Sequence, residues 1–241
     1  VWPVVPAEQT SPGPNAEAYF ADPGLELAGP AADFLASIGE PSLVGLQRGS
    51  HPETYRFVLL SPFLPPRSVR LEVDGGSLRV DLAWKTGILD PTAGPAEIRE
   101  SRVLAPVDSA GLLDLLRQLD VFGMESDTWA VLAGSSLSGA TWIVEGVAGG
   151  RYHVASREAP DRCVFHRPDD IIRQQTETWE RLWRYGRKGQ AGQFTPDRDE
   201  AVRRMADDNV RLVRFVRELF RALGIDDYEF ESCGQGPGVQ E

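Results

Sequence analysis

A chain of 241 residues with 41% hydrophobic, 25% charged and 9% aromatic side chains has the balance of a globular protein, long enough to bury a substantial core and too apolar to be disordered. Its formal net charge of −11 repels phosphate backbones, so nucleic acid is not expected as a partner. No run approaches the roughly 18 consecutive apolar residues of a membrane helix, so no transmembrane segment is expected either.

Residues 1–30 hold Pro3, Pro6, Pro12, Pro14, Pro23 and Pro30. Proline removes backbone donors and restricts the residue before it, so this stretch is expected as an extended arm. Val5-Pro6-Ala7 ahead of Glu8 has the small-residue character of a signal-peptidase site. Export to the periplasm is the resulting expectation, with the cytoplasm as the alternative. Residues 30–38 suit a short helix with Phe34, Leu35 and Ile38 on one face and Gly39 as its stop. A strand over 55–60 follows, ended by Pro62, Pro65 and Pro66.

The clearest local signal is Val69-Arg70-Leu71-Glu72-Val73-Asp74-Gly75-Gly76-Ser77-Leu78-Arg79-Val80-Asp81-Leu82. Gly75-Gly76 supplies the positive φ angles of a two-residue hairpin turn. Val73 then faces Leu78, Leu71 faces Val80 and Val69 faces Leu82, while Glu72 meets Arg79 and Arg70 meets Asp81 on the other side. A one-residue slip would oppose apolar and charged groups, so the register is specified. A further strand is expected over 97–104, then a helix over 109–121 with Leu112, Leu115, Leu116 and Leu119 on one face and Gly123 beyond its end. The Gly- and Ser-rich stretch 123–140 reads as a loop with a short strand around 129–132.

Residues 141–155 encode a second hairpin, in one of two registers. A two-residue Ala148-Gly149 turn would set Glu145 against Tyr152. A three-residue loop with Gly150 in the left-handed position sets Val144 against Val154 and Gly146 against Tyr152. The second register is preferred, because Trp142, Val144, Tyr152 and Val154 then share a core face while Glu145 and His153 pair on the other.

The last third reads as helical. Pro168-Asp169-Asp170 opens a helix to about 185, with Ile172, Trp179, Leu182 and Trp183 inward. Thr195-Pro196-Asp197 starts another: a hydroxyl cap, a first-turn proline and an acid at the positive end of the dipole. Val202, Met205, Asn209, Leu212, Val216, Leu219 and Leu223 follow at spacings of three and four, and Gly224 closes the helix. The expected fold is α+β: an antiparallel sheet built from β-hairpins, a central helix and a C-terminal helical hairpin. Its divisions are an arm (1–30), a sheet domain (31–168), the helical hairpin (169–224) and an acidic tail (225–241).

Candidate chemistry is sparse. Glu145 and His153 on one hairpin suit a tuned base, since a neighbouring carboxylate raises a histidine's pKa, yet a surface cross-strand pair explains them more simply. Gly134-Ser135-Ser136-Leu137-Ser138-Gly139 lacks the spacing of a nucleophile elbow. His51, His153 and His166 show no metal-ligand spacing, and Cys163 and Cys233 form no zinc pattern, so neither a metal nor a cofactor is expected. The two cysteines suit one long-loop disulfide in an exported protein, or two free thiols. Arg203, Arg204, Arg211, Arg214, Arg217 and Arg221 line the polar side of the last helix, either as a docking face for an acidic protein or anionic membrane, or as solvated charge.

Leu137, Gly139, Trp142, Glu145, Gly150, Arg151, Tyr152, His153, Arg157 and Pro160 form a Trp-x-x-Glu, Gly-Arg-Tyr-His and Arg-x-x-Pro succession. Over about residues 55–165 the chain thereby resembles a group of bacterial proteins, often exported, to which no activity is attached. Ser138 stands where that group has Asp, and Glu158-Ala159 where it has Trp-Ser. The resemblance implies a fold and an exported setting, and it draws attention to Glu145, Arg151, His153 and Arg157 as binding residues. The leading expectation is a non-catalytic protein-binding protein, of an immunity or envelope-accessory kind. The alternative is a hydrolase with a His153, Glu145 and Arg157 site on the second hairpin.

Overall fold

The computed structural model describes residues 19–21, 28–48, 51–60, 66–85, 97–126, 141–158 and 196–225. Six strands form one antiparallel sheet: β1 (Glu53–Leu60), β2 (Arg67–Asp74), β3 (Ser77–Lys85), β4 (Glu97–Leu104), β5 (Thr141–Ala148) and β6 (Arg151–Glu158). Their spatial order is β4-β3-β2-β1-β5-β6, a four-strand meander with the second hairpin returning to the far side of β1. The helices are α1 (Ala28–Ser37), α2 (Pro106–Leu119) and α3 (Pro196–Leu223). An antiparallel sheet with helices is thus the architecture that the patterning called for.

The first hairpin folds in the expected register, with Val73 opposite Leu78, Leu71 opposite Val80 and Arg70 opposite Asp81. Gly75 and Gly76 have φ of 54° and 88°, both in the left-handed region that a primed turn requires. The second hairpin takes neither register expected for it. Its turn is Gly149-Gly150, with φ of 57° and 75°, so that Ala148 opposes Arg151, Gly146 opposes His153 and Glu145 opposes Val154. Two adjacent glycines form the same kind of turn as in the first hairpin, and this outweighs the apolar alternation.

Both faces of the sheet are buried. On one, Phe57, Leu71, Val80 and Val144 pack beneath α2 and α3, and the Phe57 and Phe215 rings lie 5.2 Å apart. Leu112, Leu116 and Leu119 of α2 and Met205, Leu212, Val216, Leu219 and Leu223 of α3 are buried at the expected spacing. α3 lies against α2, and the expected partner helix over 168–185 falls outside the described residues. So do the strand proposed around 129–132, the Ser135–Ser138 segment, His166 and both cysteines.

On the other face α1 places Ala31, Ala32 and Leu35 over Val58, Ala83 and Ile143. Phe20 joins this cluster at 1% exposure, so part of the stretch expected as an extended arm is core. α1 ends in a Schellman motif: Gly39 has φ 63°, the Gly39 N–H donates to Ala36 O at 3.0 Å and the Glu40 N–H to Leu35 O at 2.9 Å. This turn sets Glu40 and Pro41 over the sheet. Among the described residues no helix is long and apolar enough to cross a membrane.

Candidate functional site

Register places one charged or polar residue from each of five strands in a single row. Glu145 of β5 opposes Arg56 of β1, which opposes Arg70 of β2 on its other side. Arg70 opposes Asp81 of β3, and Asp81 opposes Ser101 of β4. The row runs beneath the C-terminal end of α1. Two arginines side by side repel, and each turns outward to a carboxylate. Arg56 Nε donates to Glu145 Oε2 at 2.6 Å, and Arg70 Nη2 to Asp81 Oδ2 at 2.8 Å. Arg70 also lies 3.6 Å from Glu40 Oε2.

At its Glu145 end the row is sealed. Arg56 and Glu145 side chains are both 0% exposed. Such a pair persists only where hydrogen bonds satisfy the remaining polar atoms. Tyr152 donates its hydroxyl to Glu145 Oε1 at 2.8 Å, and Arg56 Nη1 donates to Pro41 O at 2.7 Å. Tyr19 lies with its ring centroid 6.0 Å from the Arg56 guanidinium and donates its hydroxyl to Glu40 O at 2.9 Å. The network therefore latches Tyr19 and the end of α1 onto the sheet.

Burial pushes the Glu145 carboxyl above the usual range, and the Arg56 charge with the Tyr152 and Arg56 hydrogen bonds only partly opposes it. Burial and the adjacent carboxylate push the Tyr152 phenol up as well. At the open end burial also raises Asp81, but hydrogen bonds from Ser101 and Arg70 and the charges of Arg70 and Arg79 outweigh it and hold that carboxyl low.

The four residues singled out in the sequence are not brought together. Because Gly146 opposes His153, Glu145 points to the α1 side of the sheet and His153 to the helical side, so the expected Glu145–His153 pair does not form. His153 Nε2 sits 2.6 Å from Met124 O, and its ring lies 6.4 Å from that of Phe122. Arg151 extends over the same Phe122 ring at 4.8 Å. Arg157 is wholly buried and meets Asp208 of α3 at 3.1 Å. Burial raises the Asp208 carboxyl despite the charges of Arg157 and Arg211.

Arg56 escaped sequence reasoning, although a signal for it was present. An arginine inside Tyr55-Arg56-Phe57-Val58-Leu59-Leu60 requires a carboxylate if both faces of the strand are covered. His51 is exposed, and among the described residues no cluster of three His, Cys, Asp or Glu side chains could hold a metal ion.

A second feature lies on α3, where Arg204, Arg211, Arg214 and Arg221 are exposed and Arg217 is half-buried. The Arg203 side chain is outside the described set. Asp208 and Glu218 pair within the helix with Arg211 at 3.4 Å and Arg221 at 2.5 Å. Asn209, within the apolar stripe, is buried at 3% exposure. No protein-family model matches the chain, and no curated protein matches it either.

Proposed function

We propose that this chain is a non-catalytic protein-binding protein whose docking surface is the outward face of α3, and that its partner is an acidic protein. The observation that carries this reading is an arginine stripe, Arg204, Arg211, Arg214 and Arg221, exposed on a chain whose net charge is −11. A local field opposed to the field of the whole molecule steers a complementary surface into one orientation, and so favours one partner geometry. Asp207 and Glu218 interrupt the stripe, a pattern better matched by a mixed protein surface than by a uniform phosphate backbone.

The hydrolase alternative needs His153 and Glu145 to converge, and they lie on opposite faces of the sheet with Glu145 sealed from solvent. The test is capture from native cell extract by the full chain beside an Arg204→Glu/Arg214→Glu variant, then binding with the purified candidate. One stoichiometric acidic protein, lost with the variant and weakened by salt, is the expected result. Capture indifferent to the charge reversal would end this reading. Ester or glycoside turnover abolished by His153→Ala would replace it with the enzyme.

A further inference from the structure

We infer that β4 is a self-docking edge: a second copy of this chain pairs with it antiparallel about Ser101, joining the two sheets into one. The inference stands on the β4 backbone and charge order, independently of the arginine face of α3.

β4 ends the sheet, and among the described residues no strand pairs with its outer side. In a two-residue hairpin the residues flanking the turn form a hydrogen-bonded pair, here Asp74 and Ser77. Counting along β3 from Ser77, the odd-numbered residues bond β2 and the even-numbered ones, Leu78, Val80 and Leu82, bond β4. Their partners Leu104, Arg102 and Glu100 are therefore occupied. The backbone N–H and C=O groups of Arg99, Ser101 and Val103 therefore point away from β3, an orientation that can template another strand.

Natural edges are commonly blunted by charge, and β4 is charged, but the order of its charges has the opposite consequence. Around a two-fold axis at Ser101, Glu100 of one copy faces Arg102 of the other, twice by symmetry. An axis at Glu100 or Arg102 would instead set like charges against each other, and so would one at Arg99. The backbone agrees with the charges: an axis at Ser101 makes the outward-facing residues the hydrogen-bonded pairs. It leaves Glu100 and Arg102 in the closer, non-hydrogen-bonded pair.

Glu100 and Arg102 are 41% and 47% exposed and already meet at 2.8 Å within one copy, so pairing converts an exposed ion pair into a four-membered network. Val103, 71% exposed, gains the aliphatic stem of the second copy's Arg99 as cover. The polar row Glu145–Arg56–Arg70–Asp81–Ser101 then continues through the axis into the other sheet.

Sedimentation of the full chain, from low micromolar to near-millimolar concentration, tests this. The wild type is expected to dimerise reversibly. E100R and R102E each set two like-charge pairs at the interface and should weaken dimerisation about tenfold or more. An equimolar mixture of E100R with R102E restores opposite charges at both positions, so it should form a heterodimer although neither variant forms a homodimer. That rescue cannot come from misfolding, and circular dichroism checks each variant alone. A wild type that stays monomeric throughout, variants that dimerise as tightly as it does, or a mixture that remains monomeric would each overturn the inference. None of these outcomes bears on the α3 charge-reversal test.

Discussion

Arg56 and Glu145 form an ion pair inside the protein, with both side chains 0% exposed. Both charges are out of water, and each satisfies the other along with Tyr152 and the Pro41 carbonyl. Removing one partner leaves an uncompensated buried charge, so Arg56→Ala is expected to cost about 3–5 kcal/mol in urea unfolding. The double variant Arg56→Met/Glu145→Leu, which removes both charges and keeps volume, should lose less than either single truncation. A double variant as damaged as the single ones would show that the network positions α1 in a way that apolar packing cannot replace.

The same carboxyl predicts a pH effect. Glu145 has its folded pKa raised above the ordinary 4.5, chiefly by burial. Its contribution to stability is therefore full below that ordinary value and is lost as pH rises through the folded one. Urea midpoints of wild type and Glu145→Gln, compared from about pH 4 to about pH 8, should show the wild type losing ground as pH rises. A gap that stays constant, or moves the other way, would mean that Arg56 and Tyr152 outweigh burial.

At the scale of elements, the two hairpins share a device and differ in legibility. Both turn on adjacent glycines with positive φ. Gly150→Ala, at φ 75°, should cost about 1–2 kcal/mol by thermal unfolding, whereas Gly149→Asn, at φ 57°, should be close to neutral because asparagine suits the first position of such a turn. Equal loss from both would contradict this turn assignment.

The first hairpin could be read because charge alternates with apolar residues on both strands, leaving one register without conflict. The second could not, because all residues from Thr141 to Val147 are buried. A strand covered on both faces has no polar side, so alternation loses its power to specify register. Apolar alternation therefore predicts a common face for Trp142, Val144, Tyr152 and Val154, whereas Tyr152 and Val154 point the other way with Glu145.

At the scale of the whole molecule, the sheet is the middle layer between α1 with Phe20 on one side and α2 with α3 on the other. α3 comes from the C-terminal end of the chain, yet its Phe215 meets Phe57 on β1. Phe215→Ala should therefore cost about 3–5 kcal/mol and weaken the entire sheet. Far- and near-ultraviolet circular dichroism should then report one coincident, earlier transition. Loss of α3 alone, with the sheet signal intact, would make the helix an independent unit.

Local chemistry was enough to place the described strands and helices to within about three residues and to read the first turn. The central helix expected over 109–121 nevertheless runs Pro106–Leu119 and ends at a left-handed Asp120. Proline, glycine and two-residue or three-to-four-residue periodicity act within a few positions of themselves. Partnership was beyond its reach. Arg56 with Glu145, Arg157 with Asp208 and the separation of His153 from Glu145 all depend on which segments cover each face of β1, β5 and β6. Those segments are distant in the chain, and a residue's neighbours across a packed interface leave no mark on its neighbours in sequence.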